Sequence, residues 1–118
     1  MTMTKKIATE LRKQKAEEDL KQSIIDYCRK YGFTCRFLYE SVIVNTPISS
    51  WQFPYHDSRK TLWHESTVKI NFETGNYAKT HEQFRDRKMT CEEVIDYIAD
   101  HDAWRQREAG KHLTAQDE

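Results

Sequence analysis

Four of the five histidines are followed directly by an acid: His56-Asp57, His64-Glu65, His81-Glu82 and His101-Asp102. Imidazole beside carboxyl is the pairing used by metal centres and by general acid–base catalysis. A zinc site needs three or four such groups converging, with ligand atoms at about 2.0–2.2 Å. Neighbouring residues on a strand point to opposite faces, so a doublet on a strand cannot work as one unit. The chain carries no HExxH, CxxC or HxH spacing. The histidines therefore read as structural or surface groups, with no metal implied.

Nucleophilic and phosphate chemistry find no better footing. Asp100-His101-Asp102 contains the doublet of metal-dependent phosphohydrolases, but those folds are all-helical and need further ligands upstream and downstream. Ser49-Ser50 follows Pro47 without a GxSxG elbow. Gly32, Gly75 and Gly110 are the only glycines, too few and too scattered to cradle a phosphate. Cys91 falls at a predicted helix N-terminus, where the dipole favours a thiolate, yet Glu92 and Glu93 oppose that effect. It reads as a buried residue of the capping turn. No enzymatic activity and no cofactor are expected, the alternative being a metal-dependent hydrolase that uses the histidines.

Binding is the remaining chemistry. Tryptophan, tyrosine and arginine dominate interface energetics, which directs attention to the exposed members of Trp51, Tyr55, Trp63 and Trp104 for a protein partner. Single-stranded nucleic acid would instead use aromatics with basic groups, and Arg59, Lys60, Arg85, Arg87 and Lys88 are the clusters available. A chain poor in aliphatics needs its aromatics for the core, so Trp51, Phe53 and Tyr55 read first as buried.

These residues need elements to hold them. Thr4 to Tyr31 contains neither Pro nor Gly and is rich in Lys, Glu, Gln, Ala and Leu, which predicts helix. Gly32 stands where a left-handed residue would end it. Leu20, Ile24, Tyr27, Cys28 and Tyr31 recur at three- and four-residue steps, giving a docked helix from about Asp19. Residues 1–18 form a polar helical extension, in which Ile7 and Leu11 offer a groove or homodimer contact. Phe33 to Leu38 and the Val42-Ile43-Val44 run read as strand, with a bulge, bend or tight turn at Glu40-Ser41. Trp51, Phe53 and Tyr55 share one face at period two, and Pro54 puts this strand at an edge or ends it there. His56-Asp57-Ser58-Arg59-Lys60 reads as a polar turn.

Thr61–Glu65 and Val68–Phe72 follow as short strands, then Glu73-Thr74-Gly75-Asn76 as a hairpin loop. Tyr77 to Phe84 reads as a returning strand or a loop. Thr90-Cys91-Glu92-Glu93 is a capping box that opens the last helix. Cys91, Val94, Ile95, Ile98 and Asp102 line one face of that helix, and Tyr97, His101 and Trp104 another. Gly110 marks its end, with 111–118 a frayed tail. The expectation is one α+β domain over 19–110: helix, an antiparallel meander of four to five strands, and a helix packed on one sheet face.

Composition agrees with this scale. The 118 residues suit one domain, 37% are hydrophobic, 32% charged and 12% aromatic. Lys+Arg and Asp+Glu both number 19, so no net field draws the protein to polyanions. Three cysteines without CxxC favour a reducing compartment. No run approaches a membrane span and no apolar stretch follows the basic N-terminus, so the expected location is cytoplasmic.

Four stretches carry a resemblance: Val42-Ile43-Val44-Asn45-Thr46-Pro47-Ile48-Ser49-Ser50-Trp51, Leu62-Trp63-His64-Glu65, Tyr77 to Phe84, and Tyr97-Ile98-Ala99-Asp100-His101-Asp102. In their order and spacing they resemble small accessory proteins of phages and integrative mobile elements of Gram-positive bacteria. The resemblance covers about residues 42–102 and brings no catalytic residue with it. It implies a mobile-element protein that binds a host or element protein, for example as an inhibitor of a defence system such as an anti-CRISPR.

Overall fold

The computed structural model describes residues 2–65 and 80–117. The protein is α+β, with α1 (Thr2–Lys30), β1 (Thr34–Leu38), β2 (Ser41–Asn45), β3 (Ser50–Pro54), β4 (Arg59–Glu65), β5 (Thr80–Lys88) and α2 (Cys91–Asp117). The strands form one antiparallel meander in the order β1-β2-β3-β4-β5. The predicted strand Val68–Phe72 and the loop at Glu73–Asn76 lie outside the described residues.

The helix ends follow from the local sequence. At the end of α1, Gly32 takes φ 74°, its N–H donates to the Arg29 carbonyl, and the Phe33 N–H donates to the Cys28 carbonyl. This double bond pattern satisfies carbonyls that a helix end leaves free, and it needs a left-handed residue at Gly32. Phe33 and Cys28 are then buried together, which turns the chain from helix into sheet. At the start of α2 the Thr90 Oγ1 accepts from the Glu93 N–H, and the Glu93 carboxyl accepts from the Thr90 N–H, each at 3.1 Å. The capping box forms as predicted.

Both helices cover one face of the sheet. Val42, Val44, Trp51, Phe53, Leu62 and Phe84 meet Ile24 and Cys28 of α1 and Val94, Ile95 and Ile98 of α2. Trp51, Phe53 and Tyr55 all point inward, as their period-two spacing predicts. Two polar latches tie α1 down. Asp96 of α2 accepts from the Tyr27 hydroxyl at 2.7 Å and from Tyr31, and these bonds hold its carboxyl below the usual range. Glu17 accepts from the Tyr55 hydroxyl at 2.6 Å, and burial together with this bond pushes Tyr55 up to about 12. The α1 helix is continuous, but its side chains from Lys5 to Ala16 are exposed apart from Ala8.

Some boundaries select among the alternatives the sequence leaves open, and others differ from it. Leu38 pairs with Ser41, so Tyr39-Glu40 is a tight hairpin turn, with Tyr39 at φ 57°. Pro54 ends β3 as the last paired residue of a central strand, not an edge strand. Arg59 and Lys60 begin β4 instead of closing a turn, and Lys60 is buried. Arg85 to Lys88 belong to β5, so they are strand residues and not a basic loop. Gly110 lies within α2, which continues to Asp117.

Gly32 and Tyr39 occupy the same left-handed region, one with the residue it favours and one without. A Cβ at Gly32 meets nothing within 4 Å, so Gly32→Ala tests the backbone alone. We expect it to lower stability by about 1 kcal/mol in urea denaturation. Tyr39→Gly, at a tip that is 92% exposed, should lose none.

Candidate binding face and the histidine cluster behind it

Strand β4 places two different surfaces back to back. Trp63 faces outward on the sheet side that no described helix covers, while His64 faces the helices. The registers put Arg36, Ile43, Gln52, Trp63 and Glu82 in one row across all five strands. Cross-strand neighbours of this kind stand close enough to act as one surface. Asn45 and Ser50 lie one row along, joined by a 2.6 Å bond from Ser50 Oγ to Asn45 Oδ1. With Arg36, Ile43, Gln52 and Trp63 they border a shallow depression of about 110 Å³. Glu82 is held by Arg85 at 2.6 Å. The row therefore presents an indole and an aliphatic side chain among uncharged amides, with Arg36 at one end.

The predicted binding residues divide sharply by burial. Trp51 and Tyr55 are buried, so they offer no surface to a partner. Trp63 is 37% exposed and Trp104 52% exposed. These two do not form one patch: Trp63 is on the open sheet face, and Trp104 is on α2 beside His101. Among the basic residues, Lys60 is buried, and Arg59 binds the Asp86 carboxyl at 2.8 Å. Arg85 is paired with Glu82, and Arg87 lies over the Phe84 ring at 4.7 Å. Lys88 is exposed next to the polar turn. Sequence reasoning passed over Tyr39, Arg36 and Ile43; the strict alternation of β1 and β2 was the signal that placed the last two on the outer face.

Behind Trp63 the fold assembles a cluster that no spacing along the chain marks. His64 from β4, His81 from β5 and His101 from α2 come together around Trp51. The His64 ring stacks on the Trp51 indole with centroids 3.9 Å apart and meets His81 edge-on at 4.9 Å. His101 stands 5.6 Å from His64 and 5.1 Å from Trp51. His64 is 4% exposed, so it is a core group and not the strand-surface residue its sequence neighbourhood suggests. Arg105 Nη1 approaches His64 Nε2 to 3.4 Å. Burial drives the His64 imidazole down to about 4, and His81, Arg105 and His101 push the same way. Burial and then Arg105 also lower His101.

Asp102 is the acid beside these bases. It is 5% exposed, and its Oδ1 accepts from the Ser49 hydroxyl at 3.0 Å. Ser49 Oγ in turn accepts from the Trp51 indole N–H at 2.6 Å. Asp102 Oδ2 and His101 Nδ1 are buried without a hydrogen-bond partner. The network thus links the loop before β3, the central tryptophan and α2. Among the described residues, no three His, Cys, Asp or Glu groups are placed to hold a metal ion. The Cys91 Sγ donates to the Tyr55 carbonyl at 3.2 Å, and burial raises its thiol, which suits a packing role.

No family model matches the chain, and neither the curated proteins nor the solved structures give a match. No helix among the described residues is long and apolar enough to cross a membrane.

The Ser49–Asp102 bond tests whether the network acts as a unit. Asp102→Ala leaves the buried Ser49 hydroxyl without its acceptor and should cost about 2 kcal/mol. Ser49→Ala should cost about 1 kcal/mol. Their effects in urea denaturation should be non-additive by at least ~0.5 kcal/mol, because the two groups share one interaction.

Proposed function

We propose that this is a non-enzymatic binding protein that engages a protein partner through the uncovered sheet face around Trp63. The observation that supports this reading is the transverse row Arg36–Ile43–Gln52–Trp63–Glu82, with a half-exposed indole at a concave site. A large aromatic anchor ringed by polar side chains is the composition of an interface centre. The resemblance to accessory proteins of phages and integrative elements gives the partner a context: a host or element protein, such as a component of a defence system that this protein inhibits. Ile7 and Leu11, both exposed on the outer part of α1, offer a separate contact for self-association.

The rival reading is nucleic-acid binding through Arg59, Lys60, Arg85, Arg87 and Lys88. It draws less support from the structure, since Lys60 is buried and Arg59 and Arg85 are neutralised by acids. Among the described residues, the transverse row around Trp63 carries one basic side chain, Arg36, where phosphate contacts require a cluster.

Affinity capture from a nuclease-treated bacterial lysate, with Trp63→Ala beside the wild type, tests the proposal. A captured protein should survive nuclease and lose at least ~30-fold in affinity with Trp63→Ala, the cost of removing an interface anchor. Lys88→Ala should leave capture unchanged. Capture that disappears with nuclease, or that Trp63→Ala does not weaken, would overturn the reading in favour of nucleic acid or of another surface.

A further inference from the structure

The two halves of α2 are held by different chemistry. From Cys91 to Ile98 the helix is anchored by the capping box, by Val94, Ile95 and Ile98 in the core, and by the tyrosine bonds to Asp96. Beyond Ile98 only Ala99 among the described residues adds an aliphatic side chain against the core. Ala103, Trp104, Gln106 and Arg107 are exposed, and the residues that face the sheet are His101, Asp102 and Arg105. They meet His64 of β4, which in turn touches His81 of β5, and they meet Ser49 just before β3 and Trp51 within it.

We propose that this cluster is an acid-operated latch: the distal part of α2 stays docked while His64 and His101 are neutral and lifts from the sheet when they take up protons. Among the described residues, the charged and titratable groups that face one another here include His64, His81, His101, Arg105 and Asp102, with the Tyr97 ring beside His101. Four of them are bases; the one carboxylate, Asp102, favours protons on His64 and His101 but is outnumbered and has one oxygen committed to Ser49. A proton on His64, itself only 4% exposed, would set a second cation 3.4 Å from the Arg105 guanidinium. Strand pairing keeps the backbones of His64 and His81 opposite each other, so the sheet cannot carry them apart. The helix segment carrying His101 and Arg105 can.

The sign follows from proton binding. Docked, His64 is held near 4; released, it returns to the ordinary imidazole value of about 6.5. The released state therefore binds more protons between those values, and falling pH favours release through that window. Docking is fully stable above about pH 6.5 and weakens as the medium is acidified.

Hydrogen exchange on the full-length protein at pH ~7.5 and ~5, corrected for the intrinsic pH dependence of exchange, tests the latch. Amides of 101–108 should lose at least ~tenfold protection on acidification while those of Val94–Ile98 and β2–β3 keep theirs. His64→Phe, which keeps a ring on Trp51 but cannot titrate, should reduce that loss. Unchanged protection at 101–108, or simultaneous opening of the whole domain, would overturn the proposal. An imidazole NMR titration gives an answer that does not depend on any variant folding. His64 resisting protonation until 101–108 opens supports the latch. His64 titrating near ~6.5 with the helix still docked refutes it.

Discussion

Five strands in sequence order hold one face of the sheet against the helices and leave the other uncovered by any described helix, and a slip of one residue in any register would exchange the two. Trp51, Phe53 and Tyr55 on β3 sit beside Val42 and Val44 on β2 and Leu62 on β4, so the buried side is apolar without interruption. Because the same alternation puts Arg36, Ile43, Gln52 and Trp63 outside, core and binding face are products of one constraint. The irregularities of the β4–β5 pairing act within it. Shifts near Lys60 to Trp63 accommodate the extra residues of β5, and they return His64 and His81 to direct opposition.

The supply of apolar side chains explains why the two ends of the sheet differ. With 37% hydrophobic residues, the chain has enough to seal the layer under Ile24, Ile95 and Ile98 and little beyond it. Further along α2 the contacts become aromatic and polar, built from Trp51, three imidazoles, Arg105 and Asp102. Such a network is directional, and it depends on each group being in one protonation state, whereas aliphatic packing depends on neither. Polar latches appear at the other edge too, where Glu17 and Asp96 receive tyrosine hydroxyls, but those acids are charged-state acceptors and gain from being deprotonated.

Much of the architecture was legible because it is set by local chemistry. Gly32 ends α1 since a left-handed position there is cheapest for glycine, and Thr90 with Glu93 opens α2 by reciprocal bonds between near neighbours. The inward direction of Trp51, Phe53 and Tyr55 follows from parity alone. Misread segments are those where a polar residue serves an extended strand. Arg59-Lys60 and Arg85 to Lys88 look like loop by composition, yet they complete the β4–β5 ladder, with Arg59 bound to Asp86 and Arg87 on Phe84. Gly110 looks like a helix stop, but a glycine inside a helix is a modest penalty and not a barrier.

The candidate sites divide along the same line. Sequence alone determined that Trp63 has opposite parity to Leu62 and His64, and that Asp102 stands on the apolar stripe of the last helix four residues after Ile98. Those facts concern single elements, and the periods 2 and 3.6 are enough to state them. What joins His64 to His81, His101 to Trp51 and Asp102 to Ser49 is the register across bulged strands and the line along which α2 crosses the sheet. These depend on how three separate segments pack at once, and no spacing along the chain records the outcome. The histidine doublets that first drew attention proved to be the wrong grouping: each histidine of the cluster found its partners across the fold, because adjacent side chains diverge and distant ones meet.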